Sequence, residues 1–394
     1  MKRIIGSVFF LASAIGCAAP SASGMGICGF ESETFLNGNG LNLRSATSPC
    51  WVKGVRISGV SDLGYFQSKD RSQQLKHFDL FSTALMADAK VGGAWRFKTT
   101  LSYAWSGDGF HPPGLALVPR DMALTSLDFM QSASLRLDEA MLSYAHFDQS
   151  PLYFRIGQGY INFGHYTHPY ALLPNMMQAF SQLNKPHVEL GWIGSNGLFL
   201  ALSGWTENGV TKFGGNLASA AKNHQGAVKF GFNQWSLMPG VGLSADLNYI
   251  TNLETIVGRS PYFNGGSRIS SWADEPNVSG ALGHLALSLP MNFDLNVNYL
   301  KASRFMNQGL EIGHIKLWEV DLGYHYDIAG LDHAARMTYE HADDFYTREH
   351  IAFEYSVRFN QHAQLYAQYS QLLGGLTARV LRPKVWVLGL KASF

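Results

Sequence analysis

From Trp51 onward the chain breaks into segments in which apolar and polar side chains alternate, parted in turn by very short and by long connectors. A two-residue period belongs to a β-strand whose two faces meet different surroundings. The short connectors are Val91-Gly92-Gly93, Asp148-Gln149-Ser150, Ser195-Asn196-Gly197, Met238-Pro239-Gly240, Leu289-Pro290-Met291-Asn292, Ile328-Ala329-Gly330 and Asn360-Gln361-His362, each with turn chemistry such as Gly, Asn-Gly, Pro or Asp. The long ones fall around 67–75, 107–133, 165–186, 207–223, 252–275, 304–313, 343–348 and 372–382. Seven short and eight long connectors separate about sixteen strands, with both chain ends on the short-turn side. The expected fold class is therefore all-β: a transmembrane antiparallel β-barrel over 51–394, with short turns at one rim and long loops at the other.

Individual segments show the two faces. Trp95, Phe97, Leu101, Tyr103 and Trp105 alternate with Arg96, Lys98, Thr100 and Ser102, and Trp318, Val320, Leu322, Tyr324 and Tyr326 with Glu319, Asp321, Gly323 and His325. Aromatics at segment ends, among them Trp95, Trp105, Tyr249, Tyr299 and Tyr326, suit the two interfaces of a bilayer. Segment 151–164 fits less well, since its phase slips near Gly157-Gln158-Gly159 unless a bulge or an outward Gln158 is allowed. The last segment places Trp386, Leu388, Leu390, Ala392 and the terminal Phe394 on one face and Val385, Val387, Gly389, Lys391 and Ser393 on the other. Alternation hides the apolar face from bulk composition: mean hydropathy is −0.04, although only 15% of residues are charged.

Lys2 and Arg3 precede an apolar run from Ile4 to Ile15 and then small residues, the pattern of a secretory signal peptide over 1–23, cleaved after Ala22 or Ser23. The run is too short to span a bilayer as a helix. Cys17 raises the rival reading of a lipoprotein, but Ala14 stands where a lipobox usually carries Leu. In a segment 24–50 on the periplasmic side, Cys28 and Cys50 would form a disulfide in an oxidising compartment, against the alternative of two free thiols. Such a loop would contribute about 3 kcal/mol in the chain-entropy picture. A formal net charge of +1, without basic clusters interleaved with aromatics, gives no reason to expect a nucleic-acid partner.

Sixteen strands enclose a lumen too wide for side chains to fill. Segment 24–50 is too short for a folded plug, so a loop must set the bore. The connector 165–186 is the candidate: His165, Tyr166, His168 and Tyr170 lead to Pro174, after which Met176, Phe180 and Leu183 fall at helical spacing. One or two turns of helix there would show Asn175, Gln178 and Gln182 to the lumen; the alternative is a loop that never enters it. With these features the chain resembles the general porin superfamily, in which the loop after the fifth strand commonly folds inward as a constriction. That resemblance implies an outer-membrane channel for passive diffusion of small hydrophilic solutes, insertion by the barrel-assembly machinery into outer-membrane lipid, and a homotrimer. Leu137-Asp138-Glu139-Ala140 ahead of the segment from Leu152 to Gly164 also resembles the paired fourth and fifth strands of porin-like siderophore receptors of the legiobactin-receptor type. The alternative it implies is uptake of a ferric siderophore.

Charges that alternate with outward aromatics read as pore lining, because a charge facing lipid costs about 2–4 kcal/mol at the midplane. They are Arg96, Lys98, Arg155 and Lys229 on one side, and Asp294, Glu319, Asp321, Arg336, Glu340, Glu354 and Arg358 on the other, with Lys391 on the last strand. In a closed ring of sixteen the third strand faces the eleventh, so a transverse field across the bore is expected unless cross-strand pairs, such as Arg336 with Glu354 or Glu340 with Arg358, neutralise it. His165, His168 and His187 near the candidate constriction, and His325, His333, His341 and His350, show no metal-site spacing such as HExxH. No metal or other cofactor is expected. GxSxG, Walker A and GxGxxG motifs are absent, and although Ser and His are plentiful no motif joins them, so no enzyme is read here. A lipid hydrolase or a purely structural barrel are the lesser alternatives.

The terminal strand yields a test. Phe394→Asp should reduce the amount of barrel inserted in the outer membrane without reducing export across the inner membrane, measured by fractionation and immunoblotting; normal insertion would show that the aromatic end carries no assembly signal.

Overall fold

A computed structural model describes residues 55–69, 74–91, 94–104, 134–164, 177, 181, 184–206, 224–238, 240–253, 279–307, 310–343, 347–360, 362–374 and 384–393. The leader, Cys28, Cys50 and Phe394 lie outside the described residues, as do His165, Tyr166, His168, Tyr170, Asn175, Gln178 and Gln182.

The strands are β1 (Val55–Lys69), β2 (Gln74–Val91), β3 (Trp95–Ala104), β4 (Ser134–Ala145), β5 (Leu152–Tyr160) and β6 (Asn184–Ile193). They continue as β7 (Leu198–Thr206), β8 (His224–Met238), β9 (Val241–Ile250), β10 (Gly280–Leu289) and β11 (Phe293–Asn307). The last five are β12 (Leu310–Ile328), β13 (Leu331–Asp343), β14 (Thr347–Asn360), β15 (Ala363–Gly374) and β16 (Lys384–Ser393). Each pairs antiparallel with its chain neighbours, and β16 closes on β1 in a register running from Val60↔Ser393 to Lys69↔Lys384. The result is a closed sixteen-stranded barrel with no free edge.

The alternation becomes an inversion of the usual inside and outside. Trp386 is 55% exposed on the outer surface while its neighbour Val387 is 5% exposed toward the lumen. Phe97, Leu190, Phe230, Leu247 and Tyr299 are likewise exposed, whereas Thr100, Arg155, Glu189, Lys229 and Asp246 are buried. A water-soluble protein would arrange these types the other way; hydrocarbon outside and polar partners inside make this order the stable one. Outward aromatics meet across strands, as in Trp95–Tyr144 at 4.9 Å, Phe293–Tyr324 at 4.5 Å and Tyr369–Trp386 at 4.4 Å between ring centroids.

All seven short connectors lie where the alternation breaks. At Ala329–Gly330 both residues have positive φ, 55° and 77°, the geometry of a two-residue hairpin whose twist matches that of its strands. Three long connectors are shorter than expected, because β1 runs to Lys69 and β2 begins at Gln74, β11 runs to Asn307 and β12 resumes at Leu310, and β13 runs to Asp343 with β14 resuming at Thr347. Pairing between β11 and β12 continues there, with register shifts between Lys301 and Arg304 and between Phe305 and Met306. In β5 no bulge occurs: register with β4 and β6 runs unbroken. Gly157 absorbs the irregularity at φ 143°, where an added Cβ would lie 2.1 Å from the Ala140 carbonyl oxygen. Gln158, paired with Ala140 and Pro186, therefore keeps the outward parity. The bulge lies one hairpin earlier, where Thr100 pairs Glu139 and Leu101 pairs Leu137, so that Asp138 is the extra residue and Glu139 still faces inward.

Two tyrosines lie over glycines on the inner wall. Tyr153 covers Gly191, and Tyr366 on β15 crosses Gly389 on β16 to donate its hydroxyl to Asp62 on β1 at 2.5 Å. This contact bridges the closing strand. A Cβ on Gly389 would sit 2.1 Å from the Tyr366 ring, so Gly389→Val must displace the ring and break its bond to Asp62. The expected cost is about 1–3 kcal/mol, read as a lower temperature for loss of the fast-migrating folded band in unboiled electrophoresis. Gly283→Val, whose Cβ would meet Leu247 at an ordinary 3.5 Å, should leave that temperature nearly unchanged.

Candidate functional site

Because strands pair residue by residue, inward side chains form rows around the wall. One row follows the register Asp246↔His284↔Asn298↔Glu319↔Glu340↔His350 across β9 to β14. Its members are all buried and largely bonded to each other. His284 Nδ1 meets Asp246 at 3.0 Å, Asn298 donates to Glu319 at 2.9 Å, and His350 Nδ1 meets Glu340 at 2.6 Å. Toward the long-loop rim the next row, Leu282↔Leu300↔Leu317↔Ala342, is apolar and buried although it faces the lumen. On the other side of the polar row Asp321 accepts from Arg336 at 2.6 Å, Thr338 at 2.9 Å and Asn296 at 3.4 Å. Glu354 accepts from Gln368 at 2.6 Å.

The opposite wall carries the cations, each beside an acid. Arg96 donates to Asp88 at 2.7 Å and Lys98 pairs with Glu139. Arg155 lies 3.4 Å from Glu189 and 3.7 Å from Glu139, and Glu189 also accepts from Tyr153 at 2.9 Å and Ser203 at 3.1 Å. Lys229 reaches the Gly164 carbonyl at 3.2 Å and Asp246 at 3.7 Å. The side chains read from sequence as pore lining do face inward, but the cross-strand pairs suggested for them do not form. Arg336 pairs with Asp321 instead of Glu354, Glu340 with His350, and Arg358 with Asp332 at 3.6 Å near the short-turn rim. Arg336 passes over its register partner because the diagonal acid also gathers Thr338 and Asn296. Asp88, Glu139, Glu189, Asp246, His284 and His350 were missed as wall residues, although each sits on the inward parity of its strand. Lys391 faces inward and is half-buried.

Of the connector after β5, Met177 and Ser181 are described. Met177 and Ser181 have helical backbone and are fully buried, with Ser181 Oγ donating to the Met177 carbonyl at 2.5 Å. The Met177 N–H donates to Glu340 at 2.8 Å. β5 and β13 lie eight strands apart whichever way the ring is followed, so this bond is made across the full bore. A helical N–H that bonds a carboxylate is one its own helix leaves unpaired, as in a first turn, where the helix dipole also favours negative charge. Among the described residues no three His, Cys, Asp or Glu side chains are grouped to hold a metal ion.

No family model matches the sequence, and no curated protein does. Solved structures match its architecture. Pseudomonas putida OprB, in a high-pH structure, superposes with TM-score 0.57 at 12% identity over 87% of this chain and 94% of that one. Salmonella typhi OmpF, in complex with daunomycin, gives 0.54 at 11% identity over 86% and 97%. An anion-selective porin from Comamonas acidovorans gives 0.51 at 12% identity over 86% and 99%. The chain thus has the sixteen-stranded fold of outer-membrane porins.

Arg155 is the residue on which the cationic wall depends, since it stands between two buried carboxylates. Arg155→Met should cost about 3–5 kcal/mol because it leaves buried charge without its partner, measured as a lower denaturant midpoint of the folded barrel in detergent. Arg155→Met combined with Glu189→Gln should recover part of that loss; no recovery would show that the two charges are not coupled.

Proposed function

We propose that this barrel is an outer-membrane channel for passive diffusion of small hydrophilic solutes, with a bore set by the connector after β5. The bond from Met177 to Glu340 carries the reading, because it joins a residue that follows β5 to β13, eight strands away in a barrel wide enough to conduct. Export by the leader 1–23, a Cys28–Cys50 disulfide ahead of β1, insertion through the terminal aromatic strand and assembly as a homotrimer belong to the same proposal.

The two walls differ in balance. Arg96, Lys98, Arg155 and Lys229 each stand beside an acid. Asp294, Glu319, Asp321, Glu340 and Glu354 share the β11–β14 wall with Arg336 as the cation beside Asp321. The field across the bore is therefore set mainly by the acidic wall. It favours cations, in contrast to the anion selectivity named for the Comamonas porin.

In planar bilayers the purified protein should form channels with a cation-favouring reversal potential. Glu319→Lys with Asp321→Lys should shift that potential toward anions, most strongly at low salt where screening is weakest. Arg96→Glu with Lys98→Glu should shift it toward cations, and shortening the connector between residues 165 and 176 should raise single-channel conductance. Absence of conductance, with tight binding of one ferric chelate, would replace this reading by a siderophore receptor.

A further inference from the structure

We infer that the lumen wall carries an activated serine: Ser370, His350 and Glu340 form a nucleophile, base and orienting acid able to take the acyl group of small esters that enter the bore. Ser370 Oγ lies 2.7 Å from His350 Nε2, and His350 Nδ1 lies 2.6 Å from Glu340 Oε2. Both distances are those of working hydrogen bonds in a nucleophile, base and acid relay. The three residues come from β15, β14 and β13 and share the inward face.

The tautomer follows from the partners. A carboxylate at Glu340 accepts, which assigns the imidazole proton to Nδ1. Nε2 then presents its lone pair, and the hydroxyl of Ser370 donates to it, which is the orientation a general base needs. Glu340 is held on a second side by the Met177 N–H at 2.8 Å, which fixes the acid. Glu340 and His350 are 0% and 1% exposed, while Ser370 is only half-buried toward the lumen. The orienting pair is thus enclosed and the nucleophile accessible, beside the point where the crossing connector is anchored.

The step balances without a cofactor. Ser370 Oγ attacks the ester carbonyl carbon as its proton passes to His350 Nε2. Collapse of the tetrahedral adduct breaks the bond to the alkoxy oxygen, which leaves with that proton as the alcohol, and Ser370 is acylated. Water then attacks the acyl carbon and gives its proton to Nε2; the bond from the acyl carbon to Ser370 Oγ breaks, Oγ takes that proton back from Nε2, and the carboxylic acid leaves. The strand amides of this wall are committed to the ladder that closes the barrel, so none is aimed at the oxyanion. A missing oxyanion donor costs about 10²–10³ in rate. The substrates within reach are accordingly activated esters, with slow turnover.

The test uses the whole folded barrel in detergent, verified by its heat-modifiable migration, with a fluorophosphonate probe and p-nitrophenyl acetate. Wild type should take up one phosphonyl group, located on Ser370 by peptide mass spectrometry, and release p-nitrophenol. Ser370→Ala, which removes a single oxygen, should abolish labelling at that peptide, and His350→Gln should slow labelling on the order of 100-fold or more. If His350→Gln does not fold, Glu340→Gln decides by the same slowing. Folded wild type that stays unlabelled, label on another residue, or equal rates with and without the base would overturn the assignment. Conductance of wild type judges the channel reading separately, so either can fail alone.

Discussion

Hydrocarbon offers no partner to a peptide group, and from that constraint the rest of this structure follows. Every strand must be paired on both edges, so the sheet closes, and β16 has to find β1 after the whole chain has been laid down. Closure gives each strand one face toward lipid and one toward the lumen. That is why Trp386 and Val387, adjacent in sequence, meet opposite surroundings. The seam is where Tyr366 reaches over Gly389 to Asp62. A buried hydroxyl on a buried carboxylate rewards the correct register, since a slip of one residue would turn Asp62 to the outside.

The same closure makes the inner wall a crowded polar surface. Ionised groups that leave water need partners, and a buried acid or base left alone costs several kcal/mol. The wall meets that requirement by two routes. Around β2 to β8 it uses opposite charges, as Arg155 between Glu139 and Glu189 shows. Around β11 to β14 it adds amide, hydroxyl, imidazole and backbone donors, beside the Arg336 guanidinium at Asp321 and through His350 and the Met177 N–H at Glu340. The second route satisfies lone pairs without cancelling most of the charge. The resulting asymmetry is electrical as well as chemical.

Much of the fold was legible because period two and turn chemistry are local. The breaks at Ser195-Asn196-Gly197 and Ile328-Ala329-Gly330 fall at strand ends, and the face of Arg96 or Glu319 follows from parity alone. Parity gives the face but not the height on the wall. Register belongs to pairs of strands, so the choice of Asp321 over Glu354 by Arg336 was not readable. Neither was the extension of β11 to Asn307 and of β12 back to Leu310, where the register shifts. The helical spacing after Pro174 pointed to an inward connector, yet its landing place on β13 depends on the diameter of the ring, a property of all sixteen strands.

Glu340 shows how far such a non-local arrangement reaches. Its register neighbours are Glu319 on one side and His350 on the other, and its carboxylate takes both the imidazole and the Met177 N–H. A carboxylate offers lone pairs enough for all these partners. The same charge that holds the connector across the bore therefore sets the tautomer of His350 and, through it, the direction of the Ser370 hydroxyl. Bore geometry and wall chemistry are coupled at one side chain. A change that moved the connector off Glu340 would withdraw the Met177 N–H from the acid, and the hydrogen bond from Ser370 to His350 would lose orientation with it.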